Sequence, residues 1–186
     1  MKMLPYTVEA RRPYITAMCI NALDGLDGSC FQMNKRQKAK VKRVLTVKMP
    51  GGTGPNCSRA NGEGITINLS YWQVKNVMEG KNGCEIDPKK VPDGHAYWAE
   101  YAAFDANEEC GGMWVKTGDA NHANLIQVLH EVSHFVQFSL WKSNPTRWAY
   151  MRKSHGEGFV QIYKILRKAF CNDPDDRAAF IERCQT

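Results

Sequence analysis

Two kinds of hydrophobic pattern divide this chain. The clearest helical pattern covers residues 121–140, where Leu125, Ile126, Leu129, Val132, Val136 and Leu140 recur at helical spacing. Asn144-Pro145 closes that region. A second helix is predicted over residues 154–170, with Phe159, Ile162, Leu166 and Phe170 on one face and Lys164, Arg167 and Lys168 outside it. Residues 12–24 predict an N-terminal helix with Tyr14, Ala17, Met18 and Leu23 inward. Pro13 is tolerated there only in the first turn, and Asp24-Gly25 and Asp27-Gly28 end the helix. A short helix over 71–79 and a C-terminal one over 174–184, opened by Asp173-Pro174, complete the helical set.

Alternation marks the strands. Over residues 41–49, Val41, Arg43, Leu45, Val47 and Met49 alternate with Lys42, Val44, Thr46 and Lys48, which predicts a strand. Residues 64–70 predict a second, and residues 96–104 and 112–116 a hairpin around 105–111. Residues 50–55 and 80–95 read as loops. There is no internal repeat and no low-complexity tract. The expected fold class is therefore α+β, as one domain over 1–186 with a core at about 41–171.

Composition adds a few bounds. With 43% hydrophobic residues the chain has enough apolar material for a core without disulfides or a structural metal. The seven cysteines are an odd, scattered set with no C-x-x-C pair, which excludes a zinc ribbon and fits a reducing, cytoplasmic location. Residues 1–6 lack the long apolar region of a signal peptide, and no apolar run is long enough to span a bilayer. The net charge of +6 permits nucleic-acid contact without requiring it.

Chemistry enters at His130-Glu131-Val132-Ser133-His134, inside the clearest helix. Residues i and i+4 of a helix share a face, so His130 and His134 can aim imidazole nitrogens at one ion, with Glu131 beside them. Zinc held by three protein ligands keeps a fourth position for water and lowers that water's pKa to about 7. A flanking glutamate can then take the water's proton and pass it to a leaving amine. The pattern predicts metal ligands His130 and His134, a catalytic base Glu131, and Zn2+ as the cofactor.

The third ligand is open between His155 and Glu157, with His95 and His122 further upstream. His155 steps by 4, 3, 4 and 4 to Phe159, Ile162, Leu166 and Phe170, so it begins the inward stripe, and Glu157 lies about 200° round the helix. Ser154-x-x-Glu157 also reads as a capping box, which gives Glu157 a structural task and puts His155 in the first helical turn. These considerations favour His155. Gly156 is a candidate point of close approach.

HExxH at 130–134, a spacer, then His155-Gly156-x-x-Phe159 resembles the SprT-like (Spartan-type) metallopeptidases, and Ile65-Thr66-Ile67-Asn68-Leu69-Ser70 resembles the strand before their zinc helix. The resemblance covers residues 125–170. It implies a zincin-like fold, a small mixed or antiparallel sheet packed on the HExxH helix and a second ligand-bearing helix. It also implies ligands His130, His134 and His155, Glu131 as base, and DNA-bound proteins as one class of substrate. The chain departs from the family in carrying about fifty residues between the Ile65 strand and the zinc helix, and in lacking a cysteine-rich C-terminal ribbon.

The expected partner is a peptide or protein substrate. A second candidate is nucleic acid, through Lys35, Arg36, Lys38, Lys40, Lys42, Arg43 and Lys48, although a solvated helix end and a lysine-guarded edge strand explain the same charges. Tyr97, Trp98, Tyr101, Phe104 and Trp114 read as a buried face with cross-strand pairs, or as a grip for bases or peptide. Tyr150 is a candidate oxyanion donor or a packing residue. The competing function is a nucleic-acid-associated or assembly protein whose zinc site is structural or vestigial.

Overall fold

A computed structural model describes residues 6–49, 57–82, 86–100 and 111–185. The expected loop at 50–55 and the hairpin segment at 101–110, with Tyr101 and Phe104, lie outside them. The fold is α+β, with six α-helices and two small sheets among the described residues.

Helix α1 spans Val8–Asp24, beginning earlier than the pattern predicts because the Thr7 side chain accepts a hydrogen bond from the Ala10 N–H. Pro13 therefore lies inside the helix rather than in its first turn, and the carbonyl four residues before it loses its donor. The predicted strand at 41–49 is corrected more strongly. Lys35–Val44 is helix α2, and only Leu45–Lys48 is strand β1. A capping box starts α2: the Gln37 N–H donates to Asn34 Oδ1 at 2.9 Å, and the Asn34 N–H to Gln37 Oε1 at 2.8 Å. Lysine, arginine, glutamine and alanine sustain it, so the alternation of 41–44 was a coincidence of helical residues.

Strands β2 (Arg59–Asn61) and β3 (Gly64–Asn68) join β1 in a mixed sheet of order β1-β3-β2, with β1 parallel and β2 antiparallel to β3. The central strand buries Ile65 and Ile67. Helix α3 (Trp72–Glu79) follows and ends on left-handed Gly80. Strands β4 (His95–Trp98) and β5 (Met113–Lys116) pair antiparallel where the hairpin was expected, with β4 ending at Trp98 rather than running on through Ala99 and Glu100, and Tyr97 faces Trp114 at 5.0 Å.

Helix α4 (Ala120–Ser143) is the axis of the molecule. It packs against α1, α3, β2, β3 and the helix that follows it, and is therefore buried nearly all round. Polar side chains fix its position: Gln127 Nε2 donates to the Asn68 carbonyl at 2.9 Å, and Arg11 reaches Asn121 and Asn124. The β2–β3 turn comes so close that a Cβ on Gly62 would stand 2.8 Å from the α4 backbone at Phe138 and Ser139. Helices α5 (Glu157–Phe170) and α6 (Pro174–Gln185) close the fold, with Asp173 Oδ1 capping α6. One apolar core links all these layers, from Tyr14 on α1 to Phe180 on α6.

Candidate metal centre

His130 and His134 lie one turn apart on α4, as their spacing dictates. His155 reaches them from a different kind of position. Helix α5 begins at Glu157 with Gly156 as its cap residue, so His155 lies before the helix, in a left-handed conformation with φ 54°. The Ser154–Glu157 capping box does not form, and Glu157 is exposed, accepting from Gln161 Nε2 instead. The helical-phase argument for His155 thus rests on a helix start that the structure moves. What places the ring is the loop between α4 and α5. A Cβ on Gly156 would stand 2.9 Å from the Lys153 carbonyl, so the loop folds too tightly there for a side chain.

The three imidazoles converge through Nε2. His155 Nε2 lies 3.1 Å from His130 Nε2 and 2.8 Å from His134 Nε2, and Phe159 packs its ring against all three. Their ligand atoms lie within 4.8 Å of one another, a group that could hold a metal ion. Tetrahedral zinc at about 2.0–2.1 Å from each nitrogen needs ligand separations of roughly 3.3 Å, a few tenths wider than the spacing here. Burial, with the neighbouring His130, lowers the His134 pKa to about 3 and the His155 pKa to about 4, Glu100 opposing the second shift. Both rings therefore stay neutral near pH 7 and keep a nitrogen lone pair for a cation.

Glu131 is 6% exposed, and its Oε2 has no hydrogen-bond partner among the described residues. Burial raises its carboxyl to about 7 against the opposing influence of His130. A buried carboxyl of that pKa beside a histidine cluster suits proton transfer near neutrality. The other sequence candidates lie elsewhere. His122 is buried at the start of α4, with Nε2 3.8 Å from Cys171 Sγ, and His95 Nδ1 contacts the Asp93 carbonyl at 2.9 Å. Tyr150 is exposed, its ring 6.1 Å from Trp148.

Two supporting residues escaped the sequence reading. Gln137 is fully buried: its Oε1 lies 3.0 Å from His134 Nδ1, and its Nε2 donates to the carbonyls of Met151 and Lys153, both at 2.8 Å. One side chain thus orients one histidine of the cluster on α4 and ties down the loop that carries another. Its signal was a polar residue three positions after His134. The second is Glu100, whose Oε2 lies 3.6 Å from His130 Nδ1 and whose side chain is 3% exposed. No spacing rule connects it to residue 130.

Of the basic residues, Lys38 pairs with Asp24 and Asp27 at 2.6 and 2.7 Å, while Lys35, Arg36, Lys42 and Arg43 are exposed on α2. Among the described residues no helix is long and apolar enough to cross a membrane, and Cys19, Cys30, Cys57, Cys171 and Cys184 are free thiols. Comparison with protein-family models, curated proteins and solved structures finds no match to this chain.

Proposed function

We propose that this chain is a zinc-dependent metallopeptidase of the SprT-like kind, with a zincin-like fold. The observation that carries the reading is three imidazoles converging through Nε2 beside a buried glutamate with an open oxygen. His130, His134 and His155 would hold the zinc. When bound, zinc supplies Lewis acidity, polarising a carbonyl and lowering the pKa of water toward neutrality. Glu131 takes the proton of the attacking water and delivers it to the departing amine. Phe159 packs the three rings in place, and Gln137 fixes the His134 tautomer. The substrate class is peptide or protein, with DNA-associated proteins as the narrower candidate. The free thiols support a reducing, cytoplasmic setting.

The test is Glu131→Gln. It removes the base and leaves the three imidazoles. The expected result is unchanged zinc stoichiometry and unfolding midpoint, with cleavage of an unstructured protein substrate reduced at least about 100-fold. Full activity in that variant refutes the reading. The exposed cations of α2 favour a second one, a nucleic-acid-associated protein whose metal is structural. In that case chelation unfolds the chain, nothing is cleaved, and DNA binding weakens steeply with salt.

A further inference from the structure

Glu100 is a carboxylate buried where few are found. A charge removed from water needs compensation, and its Oε1 has it: the Tyr163 hydroxyl donates to that oxygen, and Arg167 Nη1 stands 3.7 Å away. Tyr163 and Arg167 are themselves buried on α5, one turn apart and continuing the line of Phe159. The backbone just before Glu100 is held with equal care. The Gln73 side-chain amide on α3 pairs with both polar groups of Ala99, donating to its carbonyl at 2.7 Å and accepting from its N–H at 2.8 Å. Arg167 also donates to the Gly111 carbonyl at 3.3 Å, so both flanks of residues 101–110 are tied to α5. That leaves Oε2, which faces His130 Nδ1 at 3.6 Å.

The tautomer decides what this contact is for. His130 Nε2 belongs to the ligand cluster, so a metal on that nitrogen puts the ring proton on Nδ1, the side facing Glu100. A separation of 3.6 Å exceeds a hydrogen bond by a few tenths of an ångström, within reach of a small rotation of either group. Resting on the metal site proposed above, we propose that Glu100 is the positioning residue of His130: it accepts the Nδ1 proton, fixes the ring's orientation and strengthens Nε2 as a donor, while Tyr163 and Arg167 hold the carboxylate in place. Glu100 thereby becomes part of the metal centre.

The competing role for Glu100 is counter-charge to Arg167 alone, and a double variant separates the two. Zn2+ affinity of the full chain is measured by competition with a chromophoric chelator, and Co2+ substitution reads ligand geometry from its visible spectrum. Glu100→Gln keeps the size and an acceptor but loses the charge. It should bind Zn2+ about 10- to 100-fold more weakly, with a shifted Co2+ spectrum. Glu100→Gln with Arg167→Met should remain as weak. Recovery of affinity in the double variant overturns the proposal in favour of the counter-charge role. Should Glu100→Gln fail to fold, Tyr163→Phe keeps the ring and removes one anchor of the carboxylate, with an expected loss of about 3- to 10-fold. Unchanged affinity and spectrum in the folded variants overturn the role of Glu100 while leaving the histidine centre standing. Failure of the intact chain to bind Zn2+, or binding that survives His134→Ala, overturns both.

Discussion

His155 is the only non-glycine residue with positive φ among those described, and it is also a member of the histidine cluster. Such a conformation costs an L-residue about 1–2 kcal/mol, so the surroundings must hold it. Gln137 is a large part of that hold, because its amide engages two carbonyls of the loop just before His155. Gln137→Leu keeps the volume but leaves both carbonyls and His134 Nδ1 without this partner. Denaturant unfolding should show a loss of about 2–3 kcal/mol, and a Zn2+ titration about 10- to 100-fold weaker binding. A change in stability without a change in metal affinity would limit Gln137 to a packing role. Residue-level chemistry was partly legible in the sequence. The i, i+4 geometry of His130 and His134 follows from helix pitch alone. His155 joined them for a reason that the structure replaces, since its position depends on a strained loop and not on helical phase. Glu100 and Gln137 act across the fold, where spacing along the chain carries no information.

At the scale of elements, long periodic stretches were readable and boundaries were not. The 121–140 pattern marks α4 to within a few residues at each end because its buried face repeats over many turns. The 41–49 alternation held only over 45–48, because a capping box at Asn34 starts a helix that runs on to Val44, and a lysine-rich segment satisfies both periods. Strand β2 was missed because three residues are too few to show a period. Its turn nonetheless imposes a sharp requirement. Gly62 meets α4 backbone, which cannot rotate away as a side chain can. Gly62→Ala should therefore destabilise the chain by about 1–3 kcal/mol, outweighing the smaller entropic gain of alanine, and lower Tm by several degrees. A Tm equal to or above that of the parent would show that the sheet can slide on α4 at little cost.

Across the whole molecule, burial of titratable groups ties stability to pH. His122 is 3% exposed at the junction of α4, α5 and α6, and its pKa is lowered to about 3 by burial, then by the charges of Arg177 and Arg167. Cys171 beside it is held above the ordinary thiol value by burial, reaching about 11, so it brings no charge to the pair near neutrality. In the unfolded chain His122 titrates near 6.5. Above that pH it is neutral in both states and does not affect stability. Between about pH 6.5 and 3 the unfolded chain takes up a proton that the folded chain refuses. Stability attributable to this residue therefore falls as pH falls, by about 1.4 kcal/mol per pH unit, or roughly 2–3 kcal/mol by pH 4.5. His134 and His155 are lowered in the same way and act in the same direction, so the wild-type acid limb is steeper than His122 alone would make it. Comparison with His122→Leu isolates the contribution of His122. Urea unfolding at pH 7.5 and pH 4.5 should show the variant losing less stability than the parent over that interval, by about the same 2–3 kcal/mol. Parallel pH profiles would mean that His122 is protonated inside the fold, with Arg167 and Arg177 too well screened to prevent it.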